Sequence, residues 1–229
     1  MRKLAADYKS FRLTRIGEPQ YRHALLLLGW VGYFLMYLIT ENLIPLERCT
    51  PIHCWLDDVI PFNELFLIPY VLWYALVFFS LAYYFFFDIP RFKQMQIFIM
   101  ITQLIAMTCY VLFPSRQDLR PETFARDNIL TRLMAFIYSF DTSSGVCPSL
   151  HVAYSIGIAS VFAKDDYCSR PFKIFITVFV ILVCVATTFV KQHSAVDVFA
   201  ALPVCLVAEA IVFGRSYWLP KFRNRKAAD

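Results

Sequence analysis

Apolar residues in this chain gather into long blocks separated by short polar connections, at about 24–40, 65–87, 95–113, 149–163, 173–190 and 196–214. Crossing the hydrocarbon core of a bilayer takes ~20 consecutive apolar residues in a helix. The pattern therefore predicts an all-α, polytopic membrane protein with six transmembrane helices. The fourth block is short and has to recruit flanking residues to span. One membrane domain, 24–214, is expected between a basic N-terminal segment, 1–23, and a basic tail, 215–229. No stretch is long and polar enough to form a second domain.

Composition sharpens this picture. Hydrophobic residues make up 59% of the chain and charged residues 17%, a balance that excludes a soluble domain of this size. The first block does not resemble a cleaved leader, because a long basic segment precedes it and Glu41-Asn42-Leu43-Ile44 offers no small-x-small cleavage site. Residues Leu4, Tyr8, Phe11 and Ile16 alternate with Lys and Arg. The leader is thus either a surface-lying amphipathic segment or a partly disordered tail.

The basic residues fall mostly on one side: 2–22, then Arg91 and Lys93, then Lys164, Arg170 and Lys173, then 215–226. The opposite connections hold only Arg48, Arg116, Arg120, Arg126, Arg132 and Lys191. The positive-inside rule makes the first set cytoplasmic and places both termini inside. The net charge of +5 then reports topology, and no nucleic-acid partner is expected. Cys109, Cys184 and Cys205 lie in apolar blocks and read as small hydrophobes. Cys49 and Cys54 share an outer loop and are candidates for a disulfide. As a metal site with His53 they lack a fourth ligand. The tryptophans and most Phe and Tyr residues read as lipid-facing or interfacial packing.

Two outer connections are long, 41–64 and 114–148, a length that favours a functional role. Arg116, Arg120, Ser149, His151, Lys191, His193 and Asp197 all fall near outer span ends. Ionisable groups at that depth usually face a cavity or a partner. His193 and Asp197, four apart, share a helix face, so the carboxylate can orient the ring as a nucleophile or base; the alternative is a helix-capping pair. In Pro148-Ser149-Leu150-His151, a helix start offers serine and amide donors to an anion, with His151 as proton donor; the alternative is an ordinary helix start. Arg116 and Arg120 either clamp a phosphate or lie in an exposed basic loop. Lys191 either adds a cation or snorkels to the interface. Together these residues make an inventory for phosphoryl transfer without a metal.

These segments resemble the type 2 phosphatidic acid phosphatase superfamily, the vanadium-haloperoxidase-like lipid phosphatases. That family is marked by K-x6-R-P, P-S-G-H and S-R-x5-H-x3-D elements. Arg120-Pro121 matches the end of the first, Pro148-Ser149-Leu150-His151 the second with leucine for glycine, and His193 with Asp197 the end of the third. Tyr110 and Pro114 upstream add likeness to the branch of inositol-phosphotransferase-like and sphingomyelin-synthase-like enzymes. Phe113 and Thr187 stand where the family has a lysine and an arginine, and Arg116 and Lys191 are the expected replacements.

The resemblance implies a vanadium-haloperoxidase-like helical core and no metal or other cofactor. It implies that Arg120, Arg116, Ser149 and Lys191 hold phosphate, that His193 oriented by Asp197 attacks phosphorus, and that His151 protonates the leaving oxygen. The implied protein is a plasma-membrane lipid phosphatase acting at the extracytoplasmic side on a phospholipid or polyprenyl phosphate. The alternative is a phosphotransferase passing a phospho-headgroup to a lipid hydroxyl.

Overall fold

The computed structural model describes residues 2–226, with side chains described through 224. Among the described residues nine α-helices follow one another: α1 Leu28–Leu43, α2 Trp55–Val59, α3 Leu67–Phe87, α4 Ile89–Leu112, α5 Ile129–Phe140, α6 Leu150–Ala163, α7 Arg170–Phe189, α8 Ala195–Phe213 and α9 Leu219–Lys226. A π-helical turn, Gly214–Trp218, joins α8 to α9. The two long connections are tied together by a parallel pair of two-residue strands, β1 Thr50–Pro51 and β2 Ser115–Arg116.

Among the described residues five stretches are long and apolar enough to cross a membrane: Arg22–Leu43, Glu64–Phe87, Ile89–Leu112, Arg170–Phe189 and Ala195–Asn224. The remaining apolar block forms α6. At 14 residues it rises only ~21 Å, short of the ~30 Å hydrocarbon core. The physical reason for its hydrophobicity is packing. It is wedged among α3, α4, α7 and α8, with Val152, Ala153, Tyr154, Ile158 and Val161 all buried. A helix that is apolar all round is a core helix wherever protein surrounds it.

The second organising helix is α4, which packs against α1, α3, α6 and α8. Phe92, Met95, Phe98, Ile99 and Ala106 are fully buried along it. Gly157 of α6 permits the close approach: a Cβ there would lie 2.5 Å from a Phe98 ring carbon. The buried amide of Gln96 is satisfied across helices, accepting from Trp30 Nε1 at 3.1 Å and donating to Leu26 O at 3.2 Å. Outward faces carry exposed Phe78, Phe79, Leu104, Ile174, Leu206 and Ile211, the surface expected of a lipid-facing bundle.

At the end of the bundle opposite the long connections, charges are neutralised internally. Lys164 pairs with Glu209 at 2.6 Å and sits 4.2 Å from the Phe213 ring centroid. The described N-terminal residues do not form a free tail. They form short 3-10 turns packed on the ends of α3, α4 and α6: Arg2 pairs with Asp165 and Asp88, and Tyr8 donates to Phe85 O at 2.6 Å. Cys49 and Cys54 are both free thiols.

Candidate active site

The N-termini of α6 and α8 meet at the end of the bundle that carries the long connections. Helix α7 stops at Phe189, and Lys191 takes a left-handed backbone (φ 51°) that turns the chain back. The amides of Gln192 and His193 then both donate to Thr187 O, at 3.0 and 3.1 Å. Ser194 caps α8, its Oγ accepting from Val196 N–H, while Asp197 Oδ2 accepts from Ser194 N–H at 3.0 Å in a reciprocal capping box. The same Oδ2 lies 3.2 Å from Nδ1 of His193. His193 thus stands one residue before the cap, outside the helix, and Asp197 is both its orienter and a capping residue. The two roles expected from sequence as alternatives coexist.

The orientation continues into α6, because Nε2 of His193 lies 3.3 Å from Nδ1 of His151. A carboxylate only accepts, so with neutral rings His193 carries its proton on Nδ1 and His151 donates from its own Nδ1. The His151 ring is held by aromatic neighbours, Tyr70 at 4.9 Å and Trp73 at 4.2 Å between centroids. Nε2 of His151 and Oδ1 of Asp197 are buried without a hydrogen-bond partner among the described residues.

The other expected residues divide. Ser149 is fully buried as the N-cap of α6; its N–H donates to Asp197 O at 3.1 Å, locking the two helix starts together. Arg120 is tied to residues of the cavity wall, donating to Asp141 O at 2.6 Å, Thr142 O at 2.8 Å and Gln192 Oε1 at 2.7 Å. Arg116 is not brought to this point. It lies in β2, where no helical turn aligns it with Arg120, and donates to Leu46 O and Asp118. Nor does Lys191 join the histidines: its Nζ donates to the carbonyls of Asp57 (2.9 Å) and Ile60 (2.5 Å). Because α7 has already ended, Thr187 and Lys191 share no helix face. Burial draws Lys191 below its ordinary range, with Asp57 and Asp58 opposing.

Several residues not anticipated from sequence complete the site. Asp57, in α2, is 5% exposed and grips the start of α8: its carboxylate accepts from Ser194 Oγ at 2.6 Å and Ala195 N–H at 2.8 Å. These bonds hold it below the usual carboxylate range although burial pushes the other way. Gln192 donates to Asp141 Oδ2 at 2.9 Å. Burial raises Asp141, with Arg120 opposing. Their sequence signal was weak: Gln192 stands next to His193, and Asp57 and Asp141 lie in the two long outer connections.

His151 and His193 line a cavity of ≈ 90 Å³ walled by Tyr33, Tyr37, Glu41, Tyr70, Tyr110 and Asp141 among others. It adjoins a groove of ≈ 1110 Å³ between α1, α3 and α5, and Tyr33, Tyr37, Tyr70, Asp141, Leu150 and His151 line both. Many aromatics read as lipid-facing packing, Trp30, Trp73, Phe78 and Phe136 among them, form its walls. Among the described residues no group of three or more His, Cys, Asp or Glu side chains is arranged to hold a metal ion. The site therefore offers an oriented imidazole lone pair, a second imidazole carrying a proton toward it, and a guanidinium, that of Arg120, held against Gln192 and Asp141 of the cavity wall. No protein-family model, curated protein or solved structure matches this chain.

Proposed function

We propose that this chain is an integral-membrane enzyme that breaks a lipid phosphate ester through a phosphohistidine on His193. In this reading α6 is a sixth, short crossing, both termini are cytoplasmic, and the histidines face the extracytoplasmic side. The basic residues at the opposite end support that orientation. The observation that carries the proposal is the continuous Asp197–His193–His151 chain of contacts at 3.2 and 3.3 Å. Anion binding alone needs no carboxylate-oriented lone pair. Phosphoryl transfer needs both that and a proton donor beside it. The likeness of the three sequence elements to type 2 phosphatidic acid phosphatases points the same way.

The steps follow from the atoms. The lone pair on His193 Nε2 forms a bond to phosphorus as the bond from phosphorus to the lipid-side oxygen breaks, and His151 Nδ1–H gives that oxygen its proton. Asp197 stabilises the positive ring. Water or another hydroxyl then attacks phosphorus, passing its proton to His151, and the N–P bond breaks. His151 lines both cavity and groove, whereas His193 lines the cavity only. The lipid tail therefore lies in the groove and the leaving oxygen at the boundary. The groove runs ~24 Å along α3 from Tyr70 to Phe86, most of a bilayer's hydrocarbon depth.

Hydrolysis of a lipid phosphomonoester and transfer of a phospho-headgroup share these steps. The second is favoured by the carboxylates of Glu41 and Asp141 in the cavity wall. The test is capture, by an alkaline denaturing quench, of an alkali-stable, acid-labile phosphoprotein from labelled lipid phosphates, in detergent with a chelator present. Wild type is expected to label and turn over while His193→Ala does neither; equal turnover by the two proteins would refute the assignment.

A further inference from the structure

The groove that opens beside His151 is longer than one leaflet is deep. Its walls follow α3 from Tyr70 to Phe86, ~24 Å of helix rise. One leaflet supplies half of a ~30 Å hydrocarbon core, ~15 Å. A tail of leaflet length, held with its phosphate at the histidines, stops well short of the far end. Exposed Phe34, Phe78 and Phe136 mark the side on which the groove opens, so tails enter it laterally.

The far end is closed by a different part of the chain. Leu27, Leu81, Phe85, Phe86 and Phe92 line it, and the N-terminal turns seat on the same phenylalanines. Between ring centroids, Tyr8 lies 5.6 Å from Phe85 and 5.1 Å from Phe86, and His23 lies 4.6 Å from Phe85 and 5.7 Å from Phe92. Tyr8 Oη and His23 Nε2 are 3.1 Å apart, which joins the two backing rings. Hydrogen bonds hold the segment in place: Ala5 N–H donates to Phe86 O at 2.8 Å and Tyr8 Oη to Phe85 O at 2.6 Å. Those carbonyls belong to the last turn of α3, which has no intrahelical donors left for them. Arg2 pins the start of the segment. Its guanidinium pairs with Asp165 and Asp88 and lies 4.7 Å from the Tyr167 ring centroid. A segment that served only to set orientation by its charge would need none of these contacts.

We infer that, within the lipid-phosphate reading on which this rests, the groove holds a single hydrocarbon tail longer than one leaflet, and that Phe85, Phe86 and Phe92, backed by Tyr8 and His23, are its length stop. The phosphate lies at the histidines, the tail crosses the bilayer midplane along α3, and its end meets the phenylalanines. A longer tail has to fold back or push the N-terminal turns off the end of α3. Very-long-chain acyl and isoprenoid tails share the reach and the chemistry.

The experiment uses the full chain in nanodiscs and lipid phosphates carrying a diazirine at the tail end. One acyl and one isoprenoid series run from one leaflet's depth to beyond the length of the groove. After irradiation, mass spectrometry of the wild-type chain reads which residues carry the label. For tails that match the groove, label is expected at Phe85, Phe86, Phe92 or the Tyr8–His23 segment. Tail ends of bulk lipid lie near the midplane, so a probe outside the groove labels the middle of the lipid-facing helices. Label confined to mid-helix positions, or found in the separate groove at Met100, Leu104 and Met107 between α1 and α4, overturns the inference.

Turnover gives a second reading. In at least one series kcat/KM should fall roughly tenfold or more once the tail outgrows the groove, and the series that shows the fall identifies the kind of tail. Tyr8→Ala and Phe85→Ala should move the fall to longer tails, read as the ratio of long-tail to short-tail kcat/KM. No dependence on tail length in either series overturns the length stop and leaves the phosphohistidine reading standing. Turnover by His193→Ala equal to wild type overturns that reading instead. The cross-linking uses the wild-type chain, so it decides even where the variants do not fold.

Discussion

Nδ1 of His151 lies 3.3 Å from Nε2 of His193, so the lone pair assigned to attack phosphorus is occupied by the ring assigned to protonate the leaving group. In the proposed mechanism the substrate phosphorus has to reach that lone pair, which requires the two imidazoles to part. His151→Gln should therefore lower turnover of natural lipids by roughly 10²–10⁴-fold. The loss should shrink for a nitrophenyl ester, whose leaving group needs no proton. A variant equally impaired on both substrates would show that His151 is not the acid.

Asp197 Oδ2 receives both His193 Nδ1–H and Ser194 N–H. Asp197→Asn keeps the size but offers no full charge to the ring. Turnover should fall roughly 10²-fold or more, with a smaller fall in melting temperature from the weakened cap. Steady-state kinetics and a thermal melt in the same detergent separate the two effects.

Lys191 and Arg116 have exchanged their expected roles for structural ones. Arg116→Ala should leave KM within about twofold, since the side chain reaches only Leu46 O and Asp118 at the surface. Lys191→Ala should lower melting temperature, because two buried carbonyls of the first long connection lose their donor. A large rise in KM for either would restore the phosphate-binding role.

Acidity should act through Asp57. Hydrogen bonds from Ser194, Ala195 and Cys54 hold its folded pKa below the unfolded value against the pull of burial. Its stabilisation is therefore complete above the unfolded carboxylate pKa of about 4 and is lost as pH falls through the lower folded value. Asp141 has the opposite sign: burial raises it, so its contribution weakens as pH rises through the folded pKa. Melting curves from about pH 3 to 7 should show Asp57→Asn flattening the acid limb and Asp141→Asn raising the neutral plateau.

Packing has its own test. A Cβ on Gly157 would meet the Phe98 ring at 2.5 Å in a fully buried contact. Gly157→Ala should destabilise by about 1–3 kcal/mol unless α4 and α6 separate, and Phe98→Leu should recover part of that loss.

The sequence by itself determined the long apolar helices and pointed to the two histidines and the aspartate that the structure brings, in turn, within 3.3 Å of one another. Apolar blocks of bilayer length are a local, cumulative signal, and His193 with Asp197 interact through a single helix start. What sequence could not distinguish was why 149–163 is apolar, because a core helix and a lipid-facing one carry the same residues. The tertiary structure decided the rest. It drew Lys191 to the Asp57 and Ile60 carbonyls, placed Arg116 in a strand, and set Glu41 and Asp141 across from the histidines. Those outcomes depend on where donors find acceptors across long stretches of chain, from 51 residues between Gln192 and Asp141 to 131 between Lys191 and Ile60. Spacing along the sequence carries no such information, because Ile60 and Asp141 sit at helix C-caps and Arg116 in a two-residue strand, where no hydrophobic period fixes the chain.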